Sequence, residues 1–476
     1  MKEIAISLLL ILTGFPLAAV AQTGAAGDVC PAQLGARVEA IANRPQFRRS
    51  RWGILIQNLS TAATLYNRDA QQYFIPASNA KLLTTAAALQ KLGPQFRIRT
   101  SVYGDRNGRL YVMGRGDPSI TEAQLKDLAK QLKQRGINQI SQLIADDSYF
   151  QGEQVNPNWE WEDVQAGYGA PINSLIFNEN SIELILSPQS LGQPLRVRFA
   201  DAAQASQWRV ENNSATGAQT DSEFVEVGRD FAQPLIRVRG KLRVGSEPEP
   251  VYVSVVNPAN NFLQRFQQAL VAEGITVRQA LVASNSQPQT EELAAVESQP
   301  LAELVKETNQ ESNNVYAEVL LRLLGKIMPV TQNNQDEIGL NAVKAALTQL
   351  GVNSDGYILA DGSGLSRHNL VSPEALVQTL RLMANSPLAS IYRASLPVAG
   401  ASGTLRNRFN NTAAQGIVQA KTGTLTGVSA LSGYVEVPNY ELLAFSIIVN
   451  QSDLPVEDLR EAIDEIVLVL TRLRRC

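Results

Sequence analysis

Histidine is almost missing from this sequence. Its 476 residues contain one, His368. A Ser-His-Asp triad would have to use that residue, and a His-rich metal site is excluded. Any hydrolytic mechanism therefore needs its general base among Lys, Glu and Asp. Cysteine is nearly as scarce, with Cys30 and Cys476 alone. Charge is also thin: 18% of residues carry it, the formal net charge is -3 and no basic run stands out. A nucleic-acid footprint is thus absent. With 44% hydrophobic residues the chain reads as a packed globular protein, and its length suggests two or three domains.

Long apolar runs are missing except at the N-terminus. There Lys2 precedes an apolar stretch from Ile4 to Leu12, followed by Gly14 and Pro16. Ala19-Val20-Ala21 fits a small-residue cleavage site before Gln22, so residues 1–21 read as a signal peptide. An uncleaved anchor is the alternative. After cleavage no membrane span remains, and the chain is expected to be exported, to a periplasm or to the outer face of the cytoplasmic membrane. Export implies an oxidising compartment, where Cys30 and Cys476 either pair or stay as two free thiols. Position in sequence does not fix their distance.

The texture of the chain changes twice. Residues 52–57 and 64–67 read as short strands. A helix is expected over 78–89, stopped by Gly93-Pro94. From about 96 to 299 the pattern turns to short strands at 97–103, 195–199, 235–244 and 251–256, with helices near 122–134 and 261–273. From 301 onward helices return at 301–306, 315–325, 337–350 and 373–384. Three strands follow, at 416–424, 429–437 and 441–450, and then a helix over 455–473. The early and late strands are expected to form one antiparallel sheet packed by helices. Residues 93–299 read as an insertion.

Three short motifs carry chemistry. In Ser78-Asn79-Ala80-Lys81 the serine and lysine lie one helical turn apart on one face. A lysine amine can take the serine proton only when neutral, which burial and a neighbouring cation favour. Alone the motif is weak, since about one Ser-x-x-Lys is expected by chance at this length. In Ser312-Asn313-Asn314, between two helices, a hydroxyl can relay a proton and an amide can bind a carbonyl; the bland reading is a helix cap. In Lys421-Thr422-Gly423-Thr424 the strand alternation puts Lys421 and Gly423 on one side and Thr422 on the other. The bare Gly423 would let a ligand approach the backbone. Lys421 would supply the cation for a substrate carboxylate and the charge that depresses Lys81.

Each motif occurs once, in this order, and together they form the trio of penicillin-binding proteins and class A β-lactamases. The sequence resembles that superfamily. Asp361 to Asn369 (DGSGLSRHN) is similar to a signature of the class C low-molecular-mass penicillin-binding proteins, the D-Ala-D-Ala carboxypeptidase/endopeptidase group. Ser395-Leu396-Pro397, Gly403 to Phe409, Gly116-Asp117-Pro118 and Tyr168-Gly169-Ala170-Pro171 look like further blocks of it. The resemblance implies an α/β (α+β) fold. Residues 22–92 and 300–476 would form a transpeptidase/β-lactamase-like domain, and 93–299 a large β-rich insertion of two smaller domains.

The resemblance also implies a reaction. Ser78 would attack the penultimate D-Ala carbonyl of peptidoglycan stem peptides, with Lys81 as base and Ser312 relaying the proton to the leaving amine. Asn314 would orient substrate. Lys421 and Thr422 would hold the terminal carboxylate beside Gly423, and the N–H groups of Ser78 and Thr424 would stabilise the oxyanion. β-Lactam antibiotics would acylate Ser78, and neither cofactor nor metal is required. His368 and Asp361 read as structural residues of their loop. A β-lactamase, an esterase on the same scaffold and a non-catalytic wall-binding module are the alternatives.

Overall fold

The computed structural model describes residues 27–105, 108–283, 291–328, 335–438 and 440–476. The expected signal peptide, 1–21, lies outside them. At the centre is a five-stranded antiparallel sheet built from both ends of the chain. Its strands are β1 (Arg51–Asn58), β2 (Thr64–Arg68), β3 (Val418–Leu425), β4 (Val428–Glu436) and β5 (Leu442–Asn450), in the order β3-β4-β5-β1-β2. The inner strands β4 and β5 are buried on both faces, so their sequences run apolar without strict alternation.

Each face of the sheet is covered by helices. Behind it lie α1 (Pro31–Ala42) and a C-terminal helix over Val456–Leu470, sharing a core of Leu34, Val38, Ile54, Phe445, Ile463 and Ile466. On the front, α2 (Lys81–Leu92), α3 (Leu301–Gln310), α4 (Asn314–Lys326), α5 (Gln335–Leu350) and α6 (Pro373–Ala384) enclose Leu82, Leu83, Val319, Leu320 and Leu376. The expected helix over 78–89 differs at its start. Ala77–Ala80 form a 3₁₀ turn, and the α-helix begins at Lys81. Its end falls where sequence placed it: Gly93 takes φ +80 and donates its N–H to Leu89.

The residues between the two segments of the sheet build two further cores. In the first, the helices Glu122–Gln134 and Pro258–Ala272 pack on a mixed sheet. Its strand order is Ala280–Ala283, Gln142–Asp146, Arg109–Met113, Arg99–Gly104 and Glu291–Glu297. Gln142–Asp146 pairs in parallel on both sides and is buried along most of its length, which is why no alternation betrays it. In the second, two three-stranded sheets face one another across Ile182, Leu184, Ile236, Val238 and Val253. Among the described residues, no helix is long and apolar enough to cross a membrane. Cys30 and Cys476 are joined in a disulfide, with Cα atoms 5.7 Å apart.

Candidate active site

The chain enters the site from the end of the central sheet. Asn450, the last residue of β5, clamps Ile75 by accepting its N–H at 2.7 Å and donating to its carbonyl at 3.0 Å. Ala77 then adopts φ +47, a left-handed conformation that costs a non-glycine residue energy. Such strain persists only where the surroundings enforce it. Here Asn79 Nδ2 donates to Ser432 Oγ on β4 at 2.7 Å, pinning the turn to the sheet. Ser78 is left half-buried at the cleft.

Lys81 is fully buried one turn further on. Its Nζ lies 2.9 Å from Ser78 Oγ, 2.6 Å from Asn314 Oδ1 and 2.7 Å from the Ser363 carbonyl. Burial lowers its pKa from 10.5 to about 7, against the opposing pull of Asp361 and Glu318. From sequence, Lys421 is the expected depressing charge. In the structure desolvation does that work on Lys81. Lys421 is itself fully buried and pushed well below its ordinary value, first by desolvation and then by the charge of Lys81.

Ser312, at φ +60 between α3 and α4, accepts from Lys421 Nζ at 2.8 Å. Asn313 caps α4 by accepting the Tyr316 N–H, so the bland reading of this motif is also true of one of its members. Asn314 has both ends of its amide engaged, with Oδ1 on Lys81 and Nδ2 on the Tyr168 carbonyl at 2.9 Å. It thus holds the Lys81 amine rather than offering a free amide.

The last motif lies on β3. Lys421 turns inward and also donates to the Thr422 carbonyl at 2.9 Å. Thr422 faces away and hydrogen-bonds Thr404 Oγ1 at 2.7 Å. Gly423 is needed for a different reason from the expected one. A Cβ there would lie 2.6 Å from the Pro76 carbonyl and 3.2 Å from Ala77 Cβ, so it is the turn carrying Ser78 that approaches the strand.

Four of the eight expected residues, Ser78, Ser312, Asn314 and Thr424, line one cavity of about 340 Å³. Lys81 and Lys421 lie beneath it, touching Ser78 and Ser312. Thr422 and Gly423 are outside its lining. A larger cavity, of about 500 Å³, opens at the edge of the inserted mixed sheet and is bordered by none of the motif residues. Among the described residues, no three His, Cys, Asp or Glu side chains are grouped as a metal site requires.

Several contributors escaped sequence reasoning. Glu318, buried on α4 one turn beyond Asn314, accepts the N–H groups of Gly362 and Ser363, at 2.8 Å for the latter. It thereby holds the loop whose carbonyl meets Lys81. Its i, i+4 spacing from Asn314 was the available signal. The cavity wall also includes Glu160, Asp163 and Tyr168, from the inserted residues, and Arg367. Arg367 pairs with Glu160 at 3.0 Å and Tyr168 donates to Asp163 at 3.2 Å. Asp361 holds its own loop as expected, accepting from Gly364, Ser366, Asn369 and Trp159. His368 is exposed and does not line the cavity.

Comparison with known proteins matches the chain to the D-Ala-D-Ala carboxypeptidase 3 (S13) family over residues 34–473. A D-alanyl-D-alanine carboxypeptidase of Actinomadura sp. (strain R39) is 35% identical over 441 residues, covering 88% of this chain and 81% of its own. The crystal structure of penicillin binding protein 4 from Haemophilus influenzae superposes with a TM-score of 0.76 at 26% identity, covering 91% of this chain and 98% of that one. The same H. influenzae protein complexed with a β-lactam gives 0.73 at 25% identity, over 92% and 99%.

Proposed function

Since the chain belongs to the D-Ala-D-Ala carboxypeptidase 3 (S13) family, we propose that it is a serine-type D-Ala-D-Ala carboxypeptidase and/or DD-endopeptidase of peptidoglycan stem peptides, acting through a Ser78 acyl-enzyme. The observation that carries the reading is the pairing of Ser78 Oγ, at 2.9 Å, with a buried lysine whose pKa has fallen to about 7. A base poised near neutrality takes the hydroxyl proton as the oxygen attacks the penultimate D-Ala carbonyl. The N–H groups of Ser78 and Thr424 receive the negative oxygen. Ser312, held by Lys421, hands its hydroxyl proton to the departing amine as the C–N bond breaks and takes in its place the proton that Lys81 removed from Ser78. Water then attacks the ester, its proton passing to the neutral Lys81 and on to Ser78 as the C–O bond breaks.

Lys421 meets the terminal carboxylate by charge rather than contact, because its amine is buried and already bonded to Ser312. An arriving carboxylate supplies the anion that restores its affinity for a proton. Thr422 acts one step back, through Thr404. The catalytic unit is residues 22–92 with 300–476, and 93–299 is the insertion that supplies one wall of the cleft. The signal-like N-terminus and the Cys30–Cys476 disulfide both favour export to an oxidising space.

A β-lactam presents a strained amide to the same serine, so a fluorescent penicillin is expected to label the wild type and not Ser78→Ala. Labelling that survives this substitution sinks the assignment. Mass spectrometry of a defined pentapeptide and of cross-linked muropeptides then separates the leaving groups. Release of D-Ala marks the carboxypeptidase and cleavage of the cross-link the endopeptidase.

A further inference from the structure

Outside the catalytic cleft, the inserted residues carry an uncharged recess of carboxamides and aromatic rings. Two adjoining cavities, of about 290 and 170 Å³, share Gln207, Trp208 and Val256. Phe231 and Gln233 border the first, and Gln204, Asn260 and Asn261 the second. Neither is lined by an Asp, Glu, Lys or Arg. One polar group here lacks a partner. Asn261 Nδ2 is buried and, among the described residues, unpaired. Buried amides are ordinarily satisfied, so it points to a ligand that satisfies it.

The chemistry of the lining names the class of ligand. A carboxamide offers a donor pair and an acceptor together, the complement of vicinal hydroxyls and N-acetyl groups. An indole or phenyl face covers the C–H face of a sugar ring while leaving its hydroxyls at the edge. The neighbouring Arg229 is engaged over the Phe231 ring and with Ser254 Oγ, and no cationic side chain lines either cavity, which disfavours phosphates and carboxylates.

Position narrows the ligand further. Trp161 is 66% exposed and stacks on Phe231 with ring centroids 4.0 Å apart. Trp161 directly follows Glu160, which lines the catalytic cavity. The recess is therefore joined to the cleft wall by one aromatic pair. A stem peptide is attached at its far end to an amino-sugar chain, and the carboxyl that makes this attachment is no longer charged. We infer that the recess around Trp208 holds the glycan strand of the polymer whose peptide occupies the cleft. This inference rests on the catalytic reading for the identity of the polymer.

The test uses the whole chain and a peptide-free β-1,4-linked N-acetylglucosamine tetramer, followed by tryptophan fluorescence and calorimetry. Trp208→Ala removes the ring. Gln207→Ala with Asn260→Ala removes two exposed amides without touching a core. The wild type is expected to bind the tetramer saturably and both variants about tenfold more weakly, a loss of the size that a buried anchor carries. Release of D-Ala from intact wall should fall with it, while labelling by fluorescent penicillin and cleavage of a free pentapeptide keep wild-type rates. No saturable binding by the wild type, or wild-type action of the amide double variant on intact wall, overturns the inference. Tetramer binding by a wild type that neither takes up penicillin nor cleaves the pentapeptide upholds the sugar site and removes the catalytic reading instead.

Discussion

Lys81 has no exposed surface, yet three oxygen atoms surround its amine and two carboxylates lie near it. Burial favours the neutral amine and the anions favour the ammonium; burial wins, leaving a pKa of about 7. Only the neutral form can take the Ser78 proton, so its fraction rises as pH passes through 7. The second-order rate of penicillin acylation is therefore expected to climb with pH, level off above neutrality and fall about tenfold per unit below pH 6. Glu318→Gln removes one anion that supports the ammonium, so the same limb should move to lower pH. A limb that stays in place would show that the Glu318 charge does not reach Lys81. The linkage to stability has its own sign. The unfolded chain, with lysine near 10.5, holds the extra proton between about pH 7 and 10.5, so this residue's contribution to stability rises across that window. That Ser78, Lys81, Ser312 and Lys421 belong together was legible because their motifs each occur once, in a recurring order, and the fold brings them into contact. Glu318 was not: one glutamate in the apolar run from Val315 to Leu324 reads as an interruption, and only the fold puts two loop N–H groups above it.

At the scale of elements, the site depends on glycines that let three segments touch. Gly364 sits at φ +83, and a Cβ there would lie 1.9 Å from the Ala77 carbonyl. Gly364→Ala must push the turn carrying Ser78 or its own loop aside. Penicillin acylation is expected to drop about 100-fold, since a displacement near 1 Å costs that much. Urea unfolding should register a loss of about 3 kcal/mol. Gly416 separates the two causes. It has φ +76, but a Cβ there would meet no atom within 4 Å, so Gly416→Ala should cost about 1 kcal/mol, from conformation alone, and leave acylation unchanged. Equal effects at both positions would refute the steric argument. The elements themselves were legible where one face meets a core, as in the helix over Val456–Leu470 with Leu459, Ile463, Ile466 and Leu470 buried. They were hidden where burial is two-sided, as in the parallel strand Gln142–Asp146. The start of the helix at Pro258 was missed although Asn257 caps it and Pro258 occupies its first turn. The start of α2 was misplaced because a 3₁₀ turn and an α-helix share the spacing that brings Ser78 near Lys81.

The central sheet is closed by the segments around Cys30 and Cys476. The sheet takes strands from both sides of a long insertion, so nothing in chain order holds the first segment against the last. Val29 donates its N–H to the Arg472 carbonyl at 2.9 Å and accepts from Arg474 at 3.0 Å, and the Cys30–Cys476 disulfide locks the arrangement. Sequence left the pairing open because separation along a chain says nothing about distance in a fold. That separation, 446 residues, makes the bond effective. Closing so large a loop removes much of the freedom of the unfolded chain, and the loss of a native disulfide ordinarily costs about 2–5 kcal/mol. Cys30→Ser paired with Cys476→Ser should therefore unfold at lower urea, by an amount in that range, and dithiothreitol should bring the wild type to the same midpoint. The bond lies with α1 behind the sheet, whereas Ser78 and Lys81 lie with α2 on the front. In the absence of denaturant the double variant should thus take up penicillin at the wild-type rate. A slower rate there would mean that the two ends of the chain set the geometry of the nucleophile turn, and not only the stability of the sheet that carries it.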